Sequence, residues 1–313
     1  MNKPTLWVMC GLSGSGKSTV ATQIAKNNEN TVIVSSDAIR EELTGNYENQ
    51  EHNEEVFKIF HDRIRKNLEN KNNVVADATN LTMKSRRAIL MKVNGLDINK
   101  TCLIIPKPFE QCKEDNLHRK HPVPDDVLDK QIRRFQIPFY EEGFNEISIL
   151  SCDEWNKFKL SNLEFLIATY GFDQKNPHHT MTLYEHSVNA YKLFCNQKQS
   201  KSLFQLERDG YANGAKLHDI GKPPTQSFDD EGIAHYYNHA EVGSYIILSQ
   251  MKIPALYPLM WNDKTLLDCC FLINYHMMPF NWINDKTKQR WKERFGEYKY
   301  QMLLDFNECD KAR

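Results

Sequence analysis

The most constraining feature of this sequence is a glycine-rich segment close to its start. Residues 11–18 read GLSGSGKS, which fits G-x-x-x-x-G-K-[ST] at every fixed position, and they follow the apolar run 6–9. In this pattern, backbone N–H groups converge on phosphate oxygens, and the lysine reaches the β- and γ-phosphates. A strand must precede the loop and a helix must follow it, so an α/β nucleotide-binding fold is expected. The expected ligands of ATP, or of another nucleoside triphosphate, are Gly11, Ser13, Gly14, Ser15, Gly16, Lys17, Ser18 and Thr19, with Ser18 also binding Mg²⁺.

The first half of the chain alternates short apolar runs with longer amphipathic stretches. Runs of this kind are typical of parallel strands that are buried on both faces, and repeated βα units favour a parallel sheet with helices on both faces. The predicted strands are Thr5–Cys10, Thr31–Ser35, Asn73–Ala76, Thr101–Ile105 and Glu146–Leu150. The predicted helices include Ser18–Lys26, Asn53–Glu69 and Met83–Val93.

The second half shows helical periodicity and no convincing set of strands. Helices are expected at Tyr184–Phe194, Leu206–His218, Ala240–Met251, Thr265–Tyr275 and Tyr300–Asp310. The pattern changes between Cys152 and Asn176, which predicts an α/β domain over 1–155 and an all-α domain over 156–313.

The composition limits which binding partners and which cellular compartment we expect for this protein. Lys and Arg number 40 and Asp and Glu number 41, a net charge of −1, so any binding of nucleic acid must be local. The eight cysteines form no C-x-x-C pair, and no apolar run is long enough for a membrane span. We therefore expect a soluble, cytoplasmic protein without a membrane partner; the sequence does not indicate its oligomeric state.

Polar residues follow the second predicted strand, at Asp37 and Arg40. The carboxyl ends of parallel strands carry the chemistry in such sheets. Asp37 can deprotonate an acceptor hydroxyl, while Arg40 can hold an acceptor phosphate. The alternative is that Asp37 only caps the following helix.

Further candidates follow the third strand and precede a Pro-rich segment. Asp77 can bind the acceptor or position Arg40, and Asn80 can bind the acceptor or belong to a turn and helix cap. Arg86 and Arg87 can bind substrate or form a solvated helix face. A long helical segment before Pro122 would make a lid, from which Arg119 can reach the transferring phosphates.

These stretches together resemble the small P-loop kinases that include the polynucleotide 5′-hydroxyl kinases. The matching motifs are Gly11–Thr19, Ser35–Arg40, Asp77–Asn80 and the lid segment Asn116–Pro124 with Glu142-Gly143-Phe144 downstream. The resemblance implies transfer of the ATP γ-phosphate to a 5′-OH of RNA or DNA. It makes Lys17 and Ser18 phosphate and Mg²⁺ ligands, Asp37 the general base, Arg40 the acceptor-phosphate ligand and Arg119 the lid arginine, with Asp77 supporting the acceptor side.

Histidine is concentrated in the second half, where seven of the eleven histidines lie between His178 and His276. His186, the adjacent His218 and Asp219, and Asp310 make a ligand set for a divalent Mn²⁺, Fe²⁺, Co²⁺, Ni²⁺ or Zn²⁺ ion. His239 and His276 can bind a second ion, and two ions can clamp the oxygens of a phosphate ester during hydrolysis. We expect Asp310, the last ligand, on a short terminal turn, and Asp305 is the alternative candidate for this ligand.

This second set resembles the HD-domain phosphohydrolases, over residues from about Asn176 onward. The resemblance rests on His186, the His218-Asp219 doublet and Asp310, with His239 and His276 at second-metal positions. It implies an all-helical fold and hydrolysis of phosphomonoesters or phosphodiesters, with Lys222 near the substrate phosphate. His178 and His179 are expected to be loop residues.

A 5′-kinase joined to a phosphohydrolase predicts a bifunctional enzyme that heals nucleic-acid ends. It would phosphorylate 5′-OH ends and remove 2′,3′-cyclic phosphate or 2′- or 3′-phosphate ends before a ligase acts. Two alternatives remain at this stage: a small-molecule kinase fused to a nucleotidase, and a nucleotide-gated sensor whose HD domain does not catalyse. An open basic groove lined by Arg40, Lys84, Arg86 or Arg87 would favour the polynucleotide acceptor.

Overall fold

A computed structural model describes residues 3–46, 51–150, 169–176, 181–197, 205–251 and 262–311. The chain divides into two compact units, Met1–Leu128 with Pro138–Leu150, and Asp129–Ile137 with Ser151–Arg313. The domain boundary predicted at 155/156 lies outside the described residues, as do His178 and His179. The observed division differs from the predicted one in one segment, because Asp129–Ile137 groups with the second unit.

The first unit contains a five-stranded, all-parallel sheet. Its strands are β1 (Thr5–Cys10), β2 (Thr31–Ser35), β3 (Asn73–Asp77), β4 (Asn99–Ile104) and β5 (Glu146–Ile149). They are ordered β2-β3-β1-β4-β5, so β1 lies at the centre of the sheet. The observed sheet confirms the parallel α/β fold predicted for this half. Short apolar strands form such a sheet because helices cover both of its faces.

Six helices connect or follow these strands: α1 (Lys17–Asn27), α2 (Ser36–Thr44), α3 (Asn53–Glu69), α4 (Met83–Lys92), α5 (Phe109–Leu117) and α6 (Asp125–Ile132). The helix α3 shows how the pattern dictates the structure. Its buried residues Val56, Phe60, Ile64 and Leu68 recur every four positions and form one apolar stripe. The division between the units falls within α6, after Leu128.

The strand order positions the chemistry of this unit. The strands β1 and β3 are hydrogen-bonded neighbours, with Leu6 opposite Val74 and Val8 opposite Ala76. The loops after β1 and β3 therefore emerge side by side at the carboxyl edge of the sheet. In open α/β sheets, this edge is where ligands bind.

The second unit is helical, as predicted for this half of the chain. Its helices are α7 (Leu183–Asn196), α8 (Gln205–Leu217), the short α9 (Lys222–Thr225), α10 (His239–Met251), α11 (Asp263–Tyr275) and α12 (Asp285–Asp310). The expectation of an all-α domain is wrong in one detail, a small antiparallel hairpin of β6 (Ser227–Phe228) and β7 (Ala234–His235). Its turn forms because Asp229 Oδ1 accepts hydrogen bonds from the N–H groups of Glu231 and Ile233.

Small residues and buried amides hold this unit together. A Cβ at Gly214 of α8 would lie 2.8 Å from Leu272 Cβ and 2.9 Å from Cys269 O of α11, so the two helices approach closely. Asn274 of α11 bonds the segment from the first half, accepting from Ile137 N at 3.0 Å and donating to Phe135 O at 3.0 Å. Phe135 is fully buried, which explains why 129–137 groups with the helices.

Among the described residues, no helix combines the length and the apolar character that crossing a bilayer requires.

Candidate functional sites: a phosphate-binding loop and a histidine–aspartate cluster

The loop between β1 and α1 has the backbone of a phosphate cradle. Gly14 and Gly16 adopt φ angles of 80° and 91°, in the left-handed region that favours glycine. A Cβ at Gly14 would lie 2.2 Å from Cys112 O, so this position also excludes a side chain sterically. Ser15 Oγ is buried and has no hydrogen-bond partner among the described residues. The N-terminus of α1 begins at Lys17, where free N–H groups and the helix dipole favour an anion.

Lys17, Ser18 and Asp77 form a polar group beside this loop. Lys17 Nζ donates to Leu12 O at 2.6 Å, and Ser18 Oγ donates to Asp77 Oδ2 at 2.8 Å. Burial lowers the pKa of Lys17, although the nearby Asp77 opposes the shift. Burial likewise raises the pKa of Asp77, against the influence of Lys17 and Ser18. Hydroxyl and carboxylate oxygens are hard ligands suited to Mg²⁺, so these residues fit a nucleotide–Mg²⁺ complex.

Asp77 does not position Arg40, which was one of its two expected roles. Its hydrogen-bonding partner is Ser18, on the nucleotide side of the site. Arg40 instead donates to Asp37 Oδ1 at 3.1 Å and to Asn53 Oδ1 at 2.8 Å. The reason is the sheet order, since β3 lies directly against β1 and its end faces the phosphate-binding loop.

Asp37 lies between two arginines and is not the cap of its helix. The cap of α2 is Ser35, whose side chain accepts from Ala38 N. Asp37 is 61% exposed, with Arg40 at 3.1 Å on one side and Arg119 Nη2 at 4.0 Å on the other. Arg40 Nε and Arg119 Nη1 are buried and have no hydrogen-bond partner in the described part of the chain. Buried N–H donors without acceptors are costly, so this pair is suited to an anionic ligand.

The lid is built differently from the single long helix that we expected. The helices α5 and α6 are separated by a loop that contains Arg119 and the two prolines Pro122 and Pro124. Asn116 fixes this loop because its Nδ2 donates to Val123 O at 2.8 Å and its Oδ1 accepts from Val123 N at 3.0 Å. The prolines explain the break, since the chain before a proline disfavours helix.

Arg86 is not available to bind substrate, and it does not lie on a solvated helix face. Its side chain is fully buried, and its Nε and Nη2 donate to Glu142 Oε2 and Oε1 at 2.9 and 2.7 Å. Asn80 is also buried, and its amide donates to Met9 O at 2.8 Å. The cap of α4 is Thr82, so Asn80 does not cap that helix. Among these candidates, only Arg87 stays partly accessible, and its role as a substrate ligand is still a prediction.

The second unit brings the six predicted metal ligands into one cluster. His186 Nε2 lies 3.2 Å from His218 Nε2 and 3.0 Å from Asp310 Oδ1. His239 Nε2 lies 3.2 Å from His276 Nε2. The metal-type groupings found among the described residues are His186, His218 and Asp310, and His218, Asp219 and His276.

Asp219 lies between the two halves of this cluster. Its Oδ2 is 3.2 Å from His218 Nε2 and 3.6 Å from His186 Nε2. Its Oδ1 is 3.2 Å from His239 Nε2 and 3.7 Å from His276 Nε2. One carboxylate thus faces two imidazole pairs with different oxygens, which is an arrangement suited to two neighbouring cations.

The other ring nitrogens of three histidines are held by the backbone. Nδ1 of His218, His239 and His276 lies 2.9, 2.8 and 2.8 Å from the carbonyl oxygens of Ala215, Tyr236 and Ile273. A carbonyl oxygen accepts a hydrogen bond and cannot donate one, so Nδ1 carries the hydrogen, and Nε2 presents its lone pair when the imidazole is neutral. The donor set therefore fits a divalent transition metal.

The charges of the cluster also favour a cation. Burial opposes a charge on His218, but Asp219 and Asp310 outweigh it and raise the pKa of His218 to about 10. Burial likewise opposes ionisation of Asp219, but His218 and Lys222 hold its pKa well below its usual range. Burial also opposes ionisation of Asp310, but His218 lowers its pKa below the usual range. Both carboxylates are therefore anionic at neutral pH, and a bound metal ion would take the place of the proton on His218 Nε2.

Two backbone features bring these residues together. A Cβ at Gly221 would lie 2.0 Å from His239 O, so only glycine lets the segment after Asp219 contact α10 this closely. Asp310 lies at the end of a helix, because α12 breaks only at Gly296 and continues through 297–310. The short terminal turn expected for Asp310 is therefore wrong. Asp305 does not compete, since its Oδ1 accepts from Gln301.

The cluster opens into a cavity of about 460 Å³. Lys222 lines it, with Nζ 2.7 Å from both Asp219 Oδ2 and Gln174 Oε1. Its ammonium group also lies 5.5 Å from the centre of the Tyr236 ring. Gln174 and Tyr236 thus orient the buried ammonium group of Lys222 beside the carboxylates, where it can bind a phosphate oxygen.

Three partners in these sites were missed by sequence reasoning. Asn53 orients Arg40, Glu142 neutralises Arg86, and Gln174 holds Lys222. Each lies 13 to 56 positions from its partner, so no local spacing connects the two side chains. Glu142 carried the best signal, because it belongs to the Glu142-Gly143-Phe144 stretch downstream of the predicted lid.

Residues 6–138 match the AAA_33 family model, which is described as an AAA domain. An L-seryl-tRNA(Sec) kinase from Methanococcus maripaludis is 27% identical to this chain over 137 residues. The alignment covers 42% of this chain and 53% of that kinase, so this chain spans about half the length of the curated relative.

Similar solved structures include a chain of the Pnkp1/Rnl/Hen1 RNA repair complex, with 22% identity and a TM-score of 0.39 over 43% of this chain and 44% of that chain. A fungal RNA kinase has 11% identity and a TM-score of 0.35 over 87% of this chain and 98% of that chain. Scores of this size do not establish a shared fold. The family match and the observed sheet identify the first unit as an α/β P-loop domain similar to the AAA domain family.

Proposed function

We propose that this chain is a bifunctional end-healing enzyme. Its first unit would transfer the γ-phosphate of a nucleoside triphosphate to a 5′-OH end of RNA or DNA. Its second unit would be an HD-type phosphohydrolase that removes 2′,3′-cyclic phosphate or 2′- or 3′-phosphate ends. The observation that carries the proposal is that one chain contains a phosphate-binding loop beside an accessible aspartate and, separately, a six-ligand histidine–aspartate cluster.

The kinase assignment is supported by the surroundings of Asp37. This carboxylate is exposed, so an acceptor hydroxyl can approach it, and it lies between Arg40 and Arg119, which is a position suited to a general base. The buried donors Arg40 Nε and Arg119 Nη1 are suited to phosphate oxygens of the acceptor and of the transferring group. A bound Mg²⁺ would neutralise charge on the nucleotide phosphates, held from the protein side by Ser18 and Asp77.

Two observations bear on whether the acceptor of the kinase is a polynucleotide end or a small molecule. The curated relative is by name a kinase of L-seryl-tRNA(Sec), so that protein acts on a substrate that contains RNA. Burial of Arg86 removes one cation from the basic groove that would favour a polynucleotide. That observation favours a second candidate, a small-molecule kinase fused to a nucleotidase. A 5′-OH end needs few cations, and Arg40, whose Nε has no hydrogen-bond partner among the described residues, supplies one of them.

The hydrolase assignment is supported by the bridging position of Asp219. His186, His218 and Asp310 would hold one divalent ion, and His239 and His276 a second, with Asp219 between them. Such ions would supply Lewis-acid stabilisation of the developing charge. Lys222 is placed to bind a phosphate oxygen while its own charge is balanced by Asp219.

A kinase assay tests the first half of the proposal. Transfer of labelled γ-phosphate from ATP to a 5′-OH oligonucleotide and to free nucleosides is measured with the intact chain and Mg²⁺. Asp37→Asn is expected to lose at least about 100-fold in kcat, the usual contribution of a general base. Glu41→Gln, an exposed carboxylate on the same helix, is the matched control and should keep full activity. Transfer to nucleosides alone would replace the polynucleotide acceptor by the small-molecule one, and no transfer to either would reject the kinase.

A phosphatase assay tests the second half. RNA that ends in a 2′,3′-cyclic phosphate or a 3′-phosphate is incubated with the protein and Mn²⁺, and metal content is measured on the same samples. Asp310→Asn is expected to lose both bound metal and hydrolysis while keeping kinase activity. Asp305→Asn changes a carboxylate on the same helix that does not face the histidines, so it should keep both. Hydrolysis that survives in Asp310→Asn would reject the metal site.

A further inference from the structure

The cavity above the histidine–aspartate cluster has two chemically different parts. Its floor is polar and charged, with His186, Asp219, Lys222, His239 and Asp310. Its rim is apolar and aromatic and includes Tyr237, Met277 and Phe280. These three side chains are 65%, 41% and 45% exposed and line the same cavity, and apolar groups that are exposed together mark ligand-binding surfaces.

The ring of Tyr237 is held in place rather than left to rotate in solvent. It stacks on His235 with a centroid separation of 5.5 Å and an interplanar angle of 5°. His235 Nε2 in turn lies 2.8 Å from Asp229 Oδ2, and Arg133 Nη1 donates to Tyr237 O at 3.0 Å. One ring face is thus covered by an imidazole, while most of the side chain stays accessible. A fixed, exposed aromatic plane is a preorganised stacking surface.

The local backbone separates this surface from the metal ligands. Asn238 adopts a φ angle of 62°, a left-handed conformation that is uncommon outside glycine. The turn at Asn238 lets Tyr237 reach the rim while the next residue, His239, begins α10 and joins the cluster. Two positions separated by one residue, Tyr237 and His239, therefore supply an aromatic plane and a metal ligand to the same cavity.

Cations lie near the aromatic rim as well as on the floor. Lys311 Nζ is 5.7 Å from the centre of the Phe280 ring, and Lys311 lines the cavity. Lys222 on the floor and Lys311 at the rim therefore place positive charge at both ends of the cavity. An occupant with a phosphate and a flat aromatic group would satisfy both the charged and the aromatic lining, and the volume of about 460 Å³ is typical of small-ligand pockets.

We propose that Tyr237 and Phe280 form a base-stacking subsite of the phosphohydrolase. The substrate class of the cluster is then a phosphate ester that carries a nucleobase, either a strand end or a free nucleotide. This inference rests on the proposed hydrolase function and adds the requirement for the base. A sugar phosphate or other aliphatic ester would engage the floor and leave the aromatic rim exposed to water.

The test compares base-bearing and baseless esters with the Mn²⁺-loaded chain. Steady-state kinetics are measured for adenosine 3′-phosphate, a 3′-phosphate oligonucleotide and glycerol 2-phosphate. Tyr237→Leu and Phe280→Leu are expected to raise KM for the two nucleotide esters about 5- to 150-fold, the range that stacking supplies, while kcat and the kinetics of glycerol 2-phosphate stay unchanged. Phe228→Leu is the matched control, because Phe228 is an exposed aromatic on the neighbouring β6–β7 hairpin and is not among the residues that line the cavity.

A second readout does not depend on turnover. The fluorescence of 2-aminopurine riboside, which carries a base and no phosphate, is expected to be quenched by the wild-type protein and less so by Tyr237→Leu. Quenching with no hydrolysis of any ester would support the subsite and reject the hydrolase. Equal hydrolysis of glycerol 2-phosphate and adenosine 3′-phosphate, unchanged by Tyr237→Leu, would reject the subsite and leave the hydrolase intact. A higher kcat/KM for the oligonucleotide or for the mononucleotide identifies the source of the base, and either supports the subsite.

Discussion

Replacing Arg86 with methionine should strongly destabilise the first unit, and the reason is structural, because Arg86 is buried and cannot contact a substrate. Arg86 is fully buried and donates to both oxygens of Glu142, at 2.9 and 2.7 Å, and to Asn80 O at 3.1 Å. Removing one partner of a buried ion pair leaves an uncompensated charge, which costs about 3–5 kcal/mol. At about 3 °C per kcal/mol for a domain of this size, the unfolding midpoint should fall by roughly 10–15 °C.

The double variant Arg86→Met/Glu142→Leu separates the cost of the orphaned charge from the loss of packing. Because the two charged groups are removed together, the double variant should recover most of the lost free energy of unfolding. A deficit of only about 1 kcal/mol should remain, from the lost hydrogen bond to Asn80 O. Differential scanning calorimetry of the intact chain measures both variants, and the transition that ATP shifts belongs to the first unit. Arg87→Met is the matched control on the same helix. A double variant as unstable as the single one would refute this account.

The instability of Arg86→Met should depend on pH in a defined direction. Burial already raises the pKa of Glu142, and Arg86 is the main influence that lowers it. Without Arg86 the pKa of Glu142 rises further above its unfolded value, so the folded state binds the proton more tightly. The deficit relative to wild type is therefore greatest at neutral pH and shrinks as pH falls through that raised pKa. A deficit that stays constant between pH 8 and pH 5 would contradict the assigned cause.

Three further outcomes follow from the sites. Asn53→Ala removes the side chain that orients Arg40, so KM for the acceptor should rise while KM for ATP stays constant, as initial-rate kinetics would show. Gly221→Ala should lower the metal content and phosphatase activity together, because its Cβ would lie 2.0 Å from His239 O, and kinase activity should persist. Gln174→Ala should weaken binding of inorganic phosphate at the cluster by about 1–2 kcal/mol, measured by titration calorimetry, because Lys222 loses an orienting partner, while metal content is unchanged.

Local patterns predicted the elements well because the cause of each lies in neighbouring residues. The strand Thr5–Cys10 and the helix Asn53–Glu69 were expected with the bounds that the structure has. The phosphate-binding loop was equally readable, since its glycines and lysine act within one turn of backbone. Prediction failed where a distant residue decides the outcome. Arg86 resembles a surface arginine in sequence, and the charge that makes its burial possible belongs to Glu142, 56 positions away.

The sequence by itself determined that this chain has a parallel α/β half with a phosphate-binding loop and a helical half with six candidate ligands. Those conclusions need only periodicity, glycine conformation and the chemistry of donor atoms. The tertiary structure decided which of these residues meet. The strand order places Asp77 against Ser18 and away from Arg40, and the contact at Gly221 brings Asp219 between two histidine pairs. Distances between remote residues depend on how elements pack, which no local pattern records.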